Sequence, residues 1–185
     1  MADKFISIDP CLRMNDKSSE NDNNWKIHLT VAATIKHNDK YLLVTDVTQG
    51  GLKLNQPAGH VEDNEGLTDA ITREVKEETG LNFQPQYLIG IYLAKITPDN
   101  TYLRFCFGGT ISGDLDNPKP DAADDGVIDA CWYSLEEIKQ KEKEFRTPFV
   151  KKCIDDFIAG RNYPLEILAE YKNFNLEMDS VSSTG

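Results

Sequence analysis

The sequence predicts an α+β domain in which a mixed β-sheet lies between helices. Three observations carry this: strand-like apolar stretches on both sides of a helical segment near residue 70, a second helical spacing close to residue 150, and turn signals between them. The order is strands, helix, strands, helices. The 185 residues, 39% of them hydrophobic, suffice for one domain with a sizeable core. Composition sets the expected boundaries: a flexible N-terminal extension over 1–24, which holds the polar run "NDKSSENDNN"; the domain over 25–172; and a polar tail over 173–185.

The elements follow in chain order. "KIHLTVAATIKHNDKYLLVTDV" alternates apolar and polar positions on both sides of His37-Asn38-Asp39 and predicts a β-hairpin. "LKLNQPA" follows the Gly50-Gly51 turn as a short strand that Pro57 ends. The first helix comes next and closes at Gly80, which suits a left-handed C-cap, with Leu81 able to pack back. "YLIGIYLAKI" and "TYLRFCFGGTI" form a second hairpin about Pro98-Asp99-Asn100. The long polar loop "DNPKPDAADDG" leads to the strand "VIDACWY", and "SLEEI" opens a helix with a capping box from Ser134 to Glu137. Finally "PFVKKCIDDFIAG" is helical in spacing, with Pro148 near its start and Gly160 at its end.

Charge narrows the function. The chain has 31 acidic and 20 basic residues, a net charge of −11, so its surface repels phosphate polymers and a nucleic-acid binder is not expected. An anionic substrate would need a local source of positive charge, and a divalent metal is the obvious one. Cys11, Cys106, Cys131 and Cys153 form no CxxC pair, which favours reduced thiols in a cytoplasm over zinc or disulfides. No apolar leader or membrane-length run occurs, so a soluble cytoplasmic protein is expected.

The first helix carries the chemistry. At about 100° per residue, Glu74, Glu77 and Glu78 share an arc with Leu67, Ala70 and Ile71, while Asp69, Thr72, Lys76 and Thr79 take the other side. Carboxylates set among apolar residues repel one another and lose hydration, so a cation should hold them. A solvated stripe with a helical ion pair from Arg73 to Glu77 is the plainer alternative. Spacing of i, i+3 and i+4 converges oxygen donors on one spot, which suits Mg²⁺ or Mn²⁺ and points to phosphate chemistry.

Gly59, Glu65, Arg73, Glu74, Val75, Glu77, Glu78, Gly80 and Leu81 fit the pattern Gly-x5-Glu-x7-Arg-Glu-apolar-x-Glu-Glu-x-Gly-apolar without exception. This resembles the signature box of the Nudix hydrolases. The resemblance implies an α/β/α sandwich, a Mg²⁺ site (with Mn²⁺ able to substitute) made by the Gly59 carbonyl with Glu74, Glu77 and Glu78, and Arg73 as the group that orients Glu74. Glu65 would brace that network. "NQPAGH", "LRF" and "YPLE" are similar to a bacterial phosphatase subgroup of the family, which extends the likeness to about residues 26–170 and implies nucleoside di- and triphosphates and pyrimidine or thiamine pyrophosphates as substrates. The subgroup shares Ala58 where many members have glycine, whereas Ile96 stands where ADP-ribose enzymes tend to have proline.

Other candidates lie outside the box helix. Asp125, in "DAADDG", is the expected proton acceptor, with Glu74 or Glu78 as alternatives and a solvated loop as the plainer role of Asp121, Asp124 and Asp125. Arg104 could grip a substrate phosphate or make a surface ion pair, and His60 could meet the leaving phosphate or pack its loop. Trp25, Phe107 and Trp132 are candidate stacking surfaces. The leading function is hydrolysis of pyrophosphate bonds in a small-molecule nucleotide or related pyrophosphate, with no membrane and an undetermined oligomeric state. The alternatives are a non-catalytic ligand-sensing or protein-binding module of the same fold and a hydrolase of ADP-ribose-type dinucleotides.

Overall fold

A computed structural model describes residues 25–119 and 126–170. Asp121, Asp124, Asp125, the 1–24 extension, the 173–185 tail and Cys11 lie outside the described residues. The strands are β1 (Lys26–Ala33), β2 (Lys36–His37), β3 (Lys40–Thr48), β4 (Gly51–Asn55), β5 (Ala58–His60), β6 (Asn82–Lys95), β7 (Asn100–Ser112), β8 (Val127–Ser134) and β9 (Tyr163–Pro164). The helices are α1 (Leu67–Thr79), α2 (Leu135–Gln140) and α3 (Pro148–Ile158).

The α+β class and the α/β/α layering hold, with the strands divided between two sheets. One is mixed, in the order β5-β1-β7-β6-β9, with β1 and β7 parallel. The other is antiparallel, with β3 between β8 and β4 and with β2 pairing the start of β3. α1 lies against the face of the mixed sheet that carries Val31, Ala33 and Phe107, and the other sheet adds Leu42, Val44, Val127 and Ala130 to the same core. On the far side, Val150 and Ile154 of α3 meet Tyr41, Leu43 and Leu54, and Cys153 meets Ala32, Ile89 and Cys106. The run Tyr41-Leu42-Leu43-Val44 is continuously apolar because β3 is buried on both faces.

One expectation needs correction. The turn at Asn38-Asp39 does close a hairpin, and positive φ angles of 46° and 61° fit the primed turn that such hairpins use. Its first arm is only Lys36–His37, however, and β1 does not pair with β3. Residues 26–33 of β1 run parallel to residues 100–107 of β7 instead. The chain leaves the mixed sheet after Ala33, and Thr34 N donates to the Phe107 carbonyl at 2.9 Å as it crosses. A parallel partner some seventy residues away has no local turn signal, so alternation alone assigned β1 to its nearest neighbour.

The remaining punctuation acts as read. Pro98-Asp99-Asn100 joins β6 to β7, Ser134 and Glu137 form the capping box of α2, and Pro148 is the first residue of α3. Gly80 has φ of 70° and caps α1, its N–H donating to the Lys76 carbonyl at 2.9 Å.

Candidate active site

α1 buries Ala70, Ile71 and Val75 against the core and fully buries Thr79, which the helical wheel had put on the outer side. Its N-terminus has no side-chain cap from Gly66; the Leu67 N–H instead donates to the Glu170 carboxylate at 2.7 Å, a contact between distant parts of the chain. Helix and loop are thereby tied at both ends.

Glu74, Glu77 and Glu78 emerge beside β5; Glu74 and Glu77 share Arg73 as partner, and Glu78 has the Ala58 N–H. Arg73 is the centre of the arrangement. Its Nε and Nη2 donate to the two oxygens of Glu65 at 2.8 and 2.9 Å, its Nη1 to Glu74 at 2.7 Å and Glu77 at 3.0 Å, and its Nη2 also to the His60 carbonyl at 3.0 Å. These bonds use all the N–H groups a guanidinium has. Its hydrogen bonds to Glu65 first, and then to the Glu74 and Glu77 carboxylates, hold the Arg73 pKa above its ordinary value. Glu65 also accepts the Glu62 N–H at 3.1 Å, so it braces the loop as well as the arginine. Glu78 is 6% exposed and accepts the Ala58 N–H at 2.8 Å.

The cation expected beside these carboxylates is, in part, Arg73 itself. Arg73 already neutralises much of the charge of Glu65, Glu74 and Glu77, and the Arg73–Glu77 pair offered as the plainer reading is present. Among the described residues, no three His, Cys, Asp or Glu side chains are drawn around a common point as a ready metal cage.

The Glu74 carboxylate rests on Gly59, where a Cβ would overlap both carboxylate oxygens and their carbon far inside 3.0 Å. That overlap ties the identity of one residue to the position of the other. Gly59, Ala58 and His60 also line an adjoining cleft of about 580 Å³, bordered by Lys53, Asn55, Tyr102, Arg104, Arg146 and Phe149 among others. Among the described residues, the lining holds three cations and no carboxylate. In a chain of net charge −11 this is a local reversal of sign.

Arg104 is 6% exposed, and among the described residues it makes no ion pair and its Nε and Nη1 have no hydrogen-bond partner. His60 both lines the cleft and packs its ring near His28 and Tyr102, with centroids 5.6 and 6.4 Å away. Burial, then the nearby charges of His28, Arg146 and Arg104, push its pKa down. The stacking candidates stand elsewhere: Phe107 is fully buried in the core, the Trp132 indole donates to the Leu115 carbonyl, and Trp25 donates to Thr101. Tyr102 and Phe149 are the aromatic residues of the cleft. Sequence reading missed Phe149, Arg146 and Asn55; only the proximity of Asn55 to Gly59 offered a signal.

The family model for the NUDIX domain matches residues 26–153. The chain belongs to that family and is a Nudix hydrolase. It is 39% identical over 149 residues to the phosphatase NudJ of Escherichia coli strain K12, covering 80% of this chain and 94% of that one. A solved NUDIX hydrolase from Nitrosomonas europaea is 46% identical, with a TM-score of 0.72 over 80% of this chain and 99% of that one. The fold extends to a bifunctional NMN adenylyltransferase/ADP ribose pyrophosphatase from Francisella tularensis, complexed with AMP and a Mn ion. That likeness has 23% identity and a TM-score of 0.56, over 74% of this chain and 42% of that one. Among the described residues, no helix is long and apolar enough to cross a membrane.

Nudix hydrolases generally depend on a divalent metal. The residues present fit one by donor chemistry, with carboxylate oxygens on one helix face and a glycine cradle that admits the Glu74 carboxylate. The fit is not preformed, since Arg73 holds Glu74 and Glu77 as they stand.

Proposed function

We propose that this Nudix hydrolase acts in the cytoplasm and cleaves a pyrophosphate bond of small nucleoside di- and triphosphates and of related pyrimidine or thiamine pyrophosphates, with Mg²⁺ as cofactor and Mn²⁺ able to replace it. The observation that carries the reading is the position of Gly59: it seats the Glu74 carboxylate on one side and borders the cationic cleft on the other. Glu74, Glu77, Glu78 and the Gly59 carbonyl would hold the ion, which when bound supplies charge neutralisation at the phosphates and a water of lowered pKa.

The chain's own residues do the rest. Arg73 keeps Glu74 aimed across Gly59 through its bond to that carboxylate, and Glu65 keeps Arg73 in place. The cleft takes the remainder of the substrate, with Arg104 and His60 nearest the reacting end and Tyr102 and Phe149 as apolar walls. Asp125, with Glu74 or Glu78 as alternatives, is the candidate for accepting the proton of the attacking water. The relative named phosphatase NudJ, matched over nearly its whole length, supports a phosphatase activity.

The test is a rate measurement with Mg²⁺ and with Mn²⁺ on hydroxymethylpyrimidine pyrophosphate, thiamine pyrophosphate, common nucleotides and ADP-ribose, wild type beside Glu77→Gln. That substitution is expected to cost at least about a hundredfold. A wild type inert across the whole panel would overturn the reading in favour of a sensor or binding module.

A further inference from the structure

Arg104 poses a physical problem that the site described so far does not solve. A guanidinium withdrawn from water is tolerated when its donors are satisfied, and here Nε and Nη1 have no partner among the described residues although the residue is only 6% exposed. Its neighbours compensate in part: the buried Asp46 carboxylate attracts it, although that carboxylate's hydrogen bonds go to Arg146 and Asn55. The Phe149 ring lies 5.1 Å from its Cζ, a weak attraction. Arg146 shares the cleft as a like charge and gives its Nη1 to Asp46 at 2.6 Å. Glu78 attracts Arg104 at longer range but accepts the Ala58 N–H.

Arg104 lines the cleft, and a buried guanidinium with donors left over among the described residues is preorganised for a ligand that brings acceptors and negative charge. The cleft reinforces this, since Lys53, Arg104 and Arg146 line it and no described carboxylate does. A phosphate at the free end of a chain carries nearly two charges and three acceptor oxygens at neutral pH, whereas a phosphate esterified on both sides carries one charge and two free oxygens. The free end matches this lining better.

Resting on the hydrolase reading above, we infer that Arg104 seats a phosphate other than the one held at the α1 carboxylates, and that it thereby selects substrates with a free phosphate end over those whose pyrophosphate is esterified at both ends. This makes Arg104 a determinant of substrate class. Its seat does not depend on the metal, so it can be measured without one.

The experiment uses the full chain in EDTA, titrated calorimetrically with inorganic pyrophosphate, together with thermal melts and steady-state rates in Mg²⁺. Wild type is expected to bind pyrophosphate in EDTA. Arg104→Met should bind it at least about tenfold more weakly, as expected for a lost charged hydrogen-bond donor. Unliganded Arg104→Met should melt at or above the wild-type temperature, because an unpaired buried charge is gone. In Mg²⁺, its preference for a nucleoside triphosphate over ADP-ribose should fall by a similar factor, through KM. Arg104→Lys, with the charge but not the fork, should fall between the two in pyrophosphate affinity.

Pyrophosphate affinity unchanged in both variants would overturn the inference, as would a lower melting temperature for Arg104→Met with its affinity intact. If Arg104→Met does not fold, wild-type affinity in Arg104→Lys has the same force. The underlying reading fails separately: a wild type inert across the substrate panel in Mg²⁺ would sink the hydrolase assignment without touching pyrophosphate binding in EDTA.

Discussion

Replacing Gly59 by alanine tests the geometry that joins the acidic helix face to the cleft. A Cβ at this position would overlap the whole Glu74 carboxylate far inside 3.0 Å, and no such contact survives in a real structure. The obstacle is the end of a flexible side chain, so the backbone need not move; Glu74 must swing aside and give up its 2.7 Å bond with Arg73. Losing one charge-assisted hydrogen bond at a side chain 12% exposed should cost about 1–2 kcal/mol, or roughly 3–8 °C in Tm for a domain of this size. The effect on rate should be larger in proportion, about a hundredfold in kcat, because a group displaced by ~1 Å or more from productive geometry costs that much. Gly160→Ala is the control: its φ of 73° makes alanine strained, yet nothing lies within 4 Å of the added carbon. It should lose about 1 kcal/mol through backbone strain and keep full kcat. The assay is kcat at saturating Mg²⁺ on a nucleoside triphosphate, with Tm by calorimetry. A Gly59→Ala enzyme within about threefold of wild type would refute the claim that Glu74 must occupy that space.

Three further outcomes follow from the same contacts. Arg73→Lys cannot serve Glu65, Glu74, Glu77 and the His60 carbonyl together, and it leaves the mostly buried Glu65 and Glu74 undercompensated. A loss of about 3 kcal/mol, seen as a Tm lower by roughly 6–12 °C, and a rate reduction of about 10- to 100-fold are expected. Because Arg73 and the Ala58 N–H already hold the carboxylates, EDTA should stop turnover yet leave a cooperative unfolding transition, and Mg²⁺ should raise its midpoint; loss of the near-UV circular dichroism signal on chelation would contradict this. Burial lowers the His60 pKa below the value of 6.5 it has when unfolded, so over that interval the unfolded chain binds more protons. Stability from this residue is therefore full above pH 6.5 and falls as pH drops towards the folded pKa. Melts across this range should show a shallower pH slope for His60→Gln than for wild type.

What could be read from the sequence was what short-range geometry determines. The left-handed cap at Gly80, the Ser134–Glu137 box and the primed turn at Asn38-Asp39 each depend on a few consecutive residues, and each stands where spacing put it. The box residues converge on β5 for the same reason, since i, i+3 and i+4 on a helix share a face whatever lies opposite. Long-range partners were not legible. β1 pairs with a strand seventy residues away, Glu170 caps α1 at Leu67, and the burial of Arg104 depends on α3, whose Phe149 covers it. An arginine between aromatic residues reads the same on a surface strand as beneath a helix.

The role of Arg73 was implied by the family resemblance but not by helix geometry. Residues adjacent on a helix point about 100° apart, so the helical rule pairs Arg73 with Glu77 and gives no reason for it to meet Glu74. What brings the guanidinium across is outside the helix: Glu65 grips Nε and Nη2 together, and the His60 carbonyl takes a second N–H. With one edge fixed there, Nη1 falls between Glu74 and Glu77 and can serve both. The loop from His60 to Glu65 thus determines the electrostatics of a helix face that it does not belong to. That coupling explains why the box needs a glutamate eight residues before its arginine. It also yields one more consequence: Glu65→Gln, which keeps the size of the side chain but removes its charge and one of its two acceptors, should weaken the Arg73–Glu74 coupling measured in a double-mutant cycle, and an unchanged coupling energy would mean that Arg73 finds Glu74 without the loop.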